Sequence, residues 1–251
     1  MIDLSQRVAL VTGSSRGIGR ATALRLAQAG AQLVLNYSTS QTAARQTAEE
    51  VRALGASVAL VKADVSQEED IRSMLSFVEE NYGRLDILVS NVASGGFRPL
   101  LEATGRHFEA TMATNVLALL RLVQAAHPLL KKALGRAKVV AMSSHGSHRA
   151  LPNYALIGAS KAALESLIRH MCLELGDSIN FNTVLAGLVE TDSTRMLGDE
   201  AFARARASQL TGDRCLSAES VADSVLFLAS PLSDLVQGQT LIVDGGASLR
   251  V

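Results

Sequence analysis

Short, almost wholly apolar runs alternate along the chain with longer segments whose apolar residues recur at helical spacing. Seven runs read as strands: Arg7–Thr12, Gln32–Asn36, Ser57–Lys62, Leu85–Ser90, Ala137–Ser143, Ile179–Leu185 and Thr240–Val243. Both alternating sets of positions in these runs are largely apolar, as in strands covered on both faces. Helices are predicted over Ile18–Ala29, Thr39–Leu54, Glu68–Tyr82, His107–Leu134, Tyr154–Leu175 and Ala218–Ala229, with Gly30, Gly55, Gly83 and Gly135 at the ends of four of them. This alternation predicts an α/β fold, a doubly wound parallel sheet of about seven strands with helices on both faces. No linker, composition break or internal repeat interrupts residues 1–251, so a single domain is expected. The stretch from about 188 to 216 follows neither period. Open α/β sheets bind ligands beyond the carboxyl ends of their strands, so an irregular segment after the sixth strand is a candidate substrate lid.

Composition narrows the function. Lys plus Arg and Asp plus Glu number 24 each, a formal net charge of zero. A phosphate-backbone binder needs a basic excess, so no nucleic-acid partner is expected. No apolar run reaches the ~18 residues that span a bilayer, and the opening segment lacks a basic region followed by an apolar one. No membrane partner is therefore expected, and the cytoplasm is the expected compartment. Cys172 and Cys215 have no metal-like spacing; His145 and His148 do, but no carboxylate or cysteine stands beside them in sequence, so no metal is expected.

The first predicted strand runs into Thr12-Gly13-Ser14-Ser15-Arg16-Gly17-Ile18-Gly19, and a helix follows. A glycine turn between a first strand and a first helix is the dinucleotide signature. Gly13 permits the tight turn, Gly17 admits pyrophosphate to the backbone, and Gly19 lets helix and strand pack closely. The free N–H groups at the helix start then face the phosphates. The second strand ends at Asn36-Tyr37-Ser38, where an NAD enzyme usually carries an acidic residue for the ribose hydroxyls. None is present. Arg16, with Asn36 and Ser38, can instead meet a 2′-phosphate, so NADP(H) is the expected cofactor in a single-domain Rossmann fold. Asp64, after the third strand, suits either contact with adenine or an N-cap.

These residues, with others along nearly the whole chain, resemble the short-chain dehydrogenase/reductase family. Thr12 to Gly19 matches its TGxxxGxG, and Asp64-Val65 its adenine-side dipeptide. Asn91 is the kept residue of the family's NNAG, here Ser90-Asn91-Val92-Ala93. Asn115 matches the helix asparagine of its proton relay, and Ser160-Lys161-Ala162-Ala163 the start of the post-lysine helix. Ala186-Gly187-Leu188-Val189-Glu190-Thr191 is similar to its PGxxxT loop, which implies that Gly187 and Thr191 meet the nicotinamide amide. The Val243-Asp244-Gly245-Gly246 end matches a signature often found at a tetramer interface, which implies a homotetramer. The departure lies at the catalytic pair. Most of the family carries tyrosine four positions before the lysine, where this chain has Ile157. The nearest tyrosine, Tyr154, stands six intervening residues from Lys161, a spacing that resembles the enoyl-acyl-carrier-protein reductases, and subtype III most closely.

Positions seven apart on an α-helix fall within about 20° of one face, so Tyr154 and Lys161 are expected to share a cleft, about 10 Å apart along the axis. A longer reach suits conjugate reduction, in which hydride goes to C3 of an enoyl thioester while charge collects on the thioester oxygen. The resemblance implies catalytic roles for Tyr154, Lys161, Ser144 and Asn115. Tyr154 would donate to the enolate oxygen, helped by Ser144. Lys161 would hold the nicotinamide ribose and, as a cation, favour ionised Tyr154. Asn115 would hold a water leading to solvent, or serve structurally. The expected reaction is NADPH-dependent reduction of the trans-2 double bond of an enoyl thioester on an acyl carrier protein or coenzyme A, as in fatty-acid or related biosynthesis. A ketone or 3-oxoacyl reductase, and a non-catalytic NADP(H)-binding protein, are the alternatives.

Overall fold

The computed structural model describes residues 2–212 and 214–250. Seven strands, β1 (Val8–Val11), β2 (Gln32–Tyr37), β3 (Val58–Lys62), β4 (Ile87–Ser90), β5 (Ala137–Ser144), β6 (Ile179–Ala186) and β7 (Thr240–Val243), form one sheet. All pairs are parallel, and the order is β3-β2-β1-β4-β5-β6-β7. The winding reverses between β1 and β4, and the crevice beyond their carboxyl ends is where such sheets bind ligands.

The strand residues alternate between two cores. Val8 and Leu10 of β1 join Leu88, Val139 and Phe181 under α3 (Glu68–Tyr82), α5 (Ala118–Leu130) and α6 (Ala155–Leu175). Ala9 and Val11 join Leu33, Val89 and Val184 under α1 (Gly17–Gln28), α2 (Gln41–Ala53) and α8 (Ala218–Leu228). This two-sided burial is why the strands read as unbroken apolar runs.

The structure departs from the expected elements in three places. The helix predicted over His107–Leu134 divides into α4 (Gly105–Met112), a π-helical turn at Ala113–Leu117 and α5. The wider turn carries Asn115, whose side chain ties this segment to the β4 loop and to α6. The helix also ends early. Asp86, 1% exposed, accepts from the Leu134 N–H at 2.6 Å and the Val8 N–H at 2.8 Å, which draws the chain off the helical path toward β5. Gly135 therefore lies in the following turn rather than at a helix end. Finally, the irregular stretch after β6 contains a helix, α7 (Asp199–Ser208), anchored by buried Phe202.

Candidate active site

The glycine turn wraps tightly over the start of α1. A Cβ on Gly19 would lie 2.3 Å from the Gly13 carbonyl oxygen and 2.6 Å from Asn91 Nδ2, so only glycine fits. Gly13 and Gly17 have φ of +61° and +54°, a region costly for residues with a Cβ. Asn91 fastens the turn from β4, donating from Nδ2 to the Thr12 and Gly13 carbonyls at 3.0 and 3.2 Å. The resulting cleft is lined by Gly13, Ser15, Arg16, Gly17, Ile18, Gly19, Asn91, Asp64 and Val65, with Thr191 on the opposite wall. Backbone N–H groups at a helix start, flanked by glycines, suit a pyrophosphate.

The wall at the carboxyl end of β2 includes Asn36, Tyr37, Ser38, Thr39 and Ser40, with no carboxylate among them. Asn36 is 1% exposed and already engaged: Oδ1 accepts from the Gly13 N–H at 3.2 Å, and Nδ2 donates to the Ala63 carbonyl at 2.9 Å. Its amide braces the turn, which leaves Ser38 and its neighbours as the polar groups facing outward. Arg16 is half exposed and 3.8 Å from Asp192, an ion pair too open to hold the guanidinium firmly. Asp64 lines the cleft and accepts from the Ser66 N–H at 2.9 Å in a local turn; it is not a helix cap, because α3 begins at Glu68 with Gln67 as its N-cap. These features fit NADP(H).

Tyr154 is not helical: as the N-cap of α6 it has φ −116° and ψ 7°. Helical phase therefore does not aim it. Its ring is held between Gly146, where a Cβ would lie 2.4 Å from ring carbons, and Phe97, with ring centroids 5.3 Å apart. Its hydroxyl lies 3.1 Å from Ser144 Oγ. Burial raises the Tyr154 pKa, with the Ser144 hydrogen bond partly opposing, so the phenol is protonated at neutral pH. Burial and the Ser144 hydrogen bond, rather than the expected ionising influence of Lys161, set the protonation of the phenol. Lys161 is buried and donates to the Met142 carbonyl at 2.8 Å. Burial lowers its pKa to about 8, against the opposing charge of Glu165.

Ile157 is 7% exposed, and a Cβ on Gly95 would sit 2.5 Å from its Cγ1. Asn115, 2% exposed, accepts from the Ser94 N–H at 2.7 Å and donates to the Ser94 carbonyl at 2.9 Å and Ser160 Oγ at 2.8 Å. Gly187 follows β6 and is packed where a Cβ would be 3.0 Å from the Asp244 Cβ. Sequence reading missed Tyr37, Thr39, Ser40 and Asp192 in the cleft, and missed carboxylates from distant segments beside both histidines. Asp244 lies 3.1 Å from His145, and Glu165 lies 2.7 Å from His148. Among the described residues no group of three metal-ligating side chains forms.

Comparison with known proteins bears on this arrangement. A protein-family model described as enoyl-(acyl carrier protein) reductase matches residues 13–248. The 1-cyclohexenylcarbonyl-CoA reductase of Streptomyces collinus is 35% identical over 248 residues, covering 97% of this chain and 88% of that protein. A gluconate 5-dehydrogenase from Burkholderia cenocepacia, solved with NADP and tartrate, superposes with a TM-score of 0.91 at 31% identity, covering 99% of this chain and 98% of that one. A 7α-hydroxysteroid dehydrogenase solved with NADH also superposes with a TM-score of 0.91, at 28% identity, covering 97% of this chain and 95% of that one. A parallel sheet covered by helices on both faces, a glycine turn over α1, a buried lysine and a serine–tyrosine pair thus converge with these matches: the chain belongs to the short-chain dehydrogenase/reductase family of oxidoreductases.

Proposed function

We propose that this protein uses NADPH to reduce the trans-2 double bond of an enoyl thioester carried on coenzyme A or an acyl carrier protein. The observation that carries the reading is the proton donor. The Tyr154 hydroxyl is paired with Ser144 Oγ at 3.1 Å, whereas the position nearer Lys161 holds buried, apolar Ile157. A donor set one turn farther from the lysine suits an oxygen removed from the carbon that receives hydride. The name of the Streptomyces relative specifies a cyclohexenylcarbonyl thioester, itself a conjugated enoyl group, which agrees with this chemistry.

The cofactor is held by the N–H groups of the Gly13–Gly19 turn, by Asp64, Val65 and Asn91, and at its 2′-phosphate by Arg16 and Ser38. Thr191 closes over it, and Gly187 sets the path of that loop. The chemistry it supplies when bound is hydride donation to C3 of the acyl group. Tyr154, protonated at neutral pH, donates a hydrogen bond to the thioester oxygen as negative charge collects there, and C2 then takes the balancing proton from Tyr154 or from water. Ser144 steadies the phenol and supplies a second donor. Lys161 orients the nicotinamide ribose with its ammonium. Asn115 anchors the β4 loop beneath the site, and the segment 188–216, with α7, acts as the lid that excludes water.

Crotonyl and acetoacetyl thioesters assayed side by side with NADPH and NADH test the reading. Crotonyl reduction with NADPH is expected. Turnover of acetoacetyl thioester alone, or a preference for NADH, overturns it. Tyr154→Phe should abolish enoyl reduction while NADPH still binds, read as quenching of cofactor fluorescence; a fully active variant removes Tyr154 from the mechanism.

A further inference from the structure

One buried charge lies behind the site without touching it. Glu165 is one helical turn beyond Lys161 on α6 and 3% exposed. A carboxylate removed from water at that depth is costly unless donors surround it. Three do, and all come from the end of β5 and the turn that follows it. Ser143 Oγ donates to Oε1 at 2.5 Å, Ser147 Oγ lies 2.6 Å from the same oxygen, and His148 Nε2 meets Oε2 at 2.7 Å. Ser147 Oγ is also 2.8 Å from the Ser144 carbonyl. The clamped turn contains the two residues that fix the phenol: Ser144, which bonds it, and Gly146, against which its ring lies.

We infer that Glu165 is a positioning residue, which clamps the Ser143–His148 turn onto α6 and supplies the counter-charge of Lys161. This rests on the roles given above to Tyr154 and Lys161. The other ionisable groups around the pair are few. His148 comes from the turn after β5, and Tyr154 from the start of α6. His145, on the same turn, is paired with Asp244 at 3.1 Å. β6 and the π-helical turn carry no ionisable side chain, and β5 has only Lys138, held by Asp234 at 2.5 Å. On α4, His107 bonds Arg98 at 2.9 Å, while Arg106 and Glu109 are exposed. Glu165 is thus the carboxylate that keeps the Lys161 ammonium charged against its burial.

The test is the pH profile of kcat/KM for Glu165→Gln, which keeps the shape and removes the charge. In the native enzyme activity is expected to fall on the alkaline side as Lys161 loses its proton near pH 8. Without the counter-charge the ammonium is less favoured, so the fall moves to lower pH. Activity at pH 8 should drop about tenfold, while activity near about pH 6 stays within about threefold of native. Glu165→Asp should restore the alkaline limb but not the full kcat. A limb that does not move, whether activity is native or uniformly reduced, overturns the counter-charge role. Should Glu165→Gln not fold, Ser147→Ala and His148→Gln each remove one donor from the clamp. Both should lower kcat severalfold with the KM for NADPH unchanged, and native kcat in both overturns the clamp. Tyr154→Phe in the same assay separates the two readings. Full activity there removes the catalytic reading itself; inactivity there, beside a native profile in Glu165→Gln, removes only the role of Glu165.

Discussion

The ring of Tyr154 leans on the backbone of Gly146 so closely that a Cβ would lie 2.4 Å from two ring carbons. Gly146→Ala must therefore push the phenol off Ser144. Because displacements of about 1 Å cost up to about 100-fold in rate, kcat for enoyl reduction should fall by one to two orders of magnitude, roughly, with the dissociation constant for NADPH unchanged. Steady-state kinetics and a cofactor titration check this together. Lys161 makes a different demand. Lowering its pKa from 10.5 to about 8 is worth on the order of 3 kcal/mol against the folded state. The sign follows from proton counting: between pH 8 and 10.5 the unfolded chain holds a proton at Lys161 that the folded chain has lost. Stability attributable to this group therefore rises with pH across that window, and the full penalty is present below it. Lys161→Met carries no such penalty. Its Tm relative to the native protein should be highest at neutral pH and decline as pH rises from 8 to 10.5, followed by calorimetry; a pH-independent difference contradicts the assignment.

At the scale of elements, the five-residue π-helical turn is the feature whose origin lies outside its own sequence. Residues 105–130 have the apolar periodicity of one continuous helix, and nothing local marks a wider turn. The turn forms because Asn115 finds three partners, the N–H and carbonyl of Ser94 and the hydroxyl of Ser160, that lie on a loop and on another helix. π turns of this kind are often found at functional sites. Asn115→Ala removes all three hydrogen bonds; the Ser160 hydroxyl keeps its donation to the Ile157 carbonyl and Ser94 is exposed to water, so each lost bond costs about 0.5–1.5 kcal/mol. A total loss of about 3 kcal/mol in urea unfolding is expected, together with reduced kcat as the β4 loop loosens. An unchanged midpoint would show that the turn persists without its amide.

Over the whole molecule, β7 closes the sheet on one side and its outer edge has no strand partner among the described residues. An unpaired edge invites pairing or covering, and Ile242 on it is 45% exposed, with Leu173 and Leu235 at 85% and 100% elsewhere on the surface. The family resemblance implies a tetramer, so light scattering is expected to return that mass, and Ile242→Arg should shift it toward smaller species; a native monomer refutes the expectation. How much of this was legible beforehand follows from the range of the interactions. The strands, the parallel sheet and the glycine turn are written in local period and spacing, because burial on both faces and a positive φ act on single residues and their neighbours. The aim of Tyr154 is not. The residue sits just outside the helix that seven-residue spacing assumed, and its direction is decided by Gly146 and Phe97 from other segments. Likewise Asn36 reads as a free polar partner until β3 and the glycine turn are folded against it. The protonation of Tyr154 and Lys161 is set by how deeply each is buried. Burial, and the carboxylate of Glu165 that opposes it at Lys161, exist only once the chain has folded. The sequence by itself therefore determined the scaffold and the cofactor cradle, through contacts between near neighbours, while the tertiary structure alone decided where the phenol of Tyr154 is held and how strongly it holds its proton.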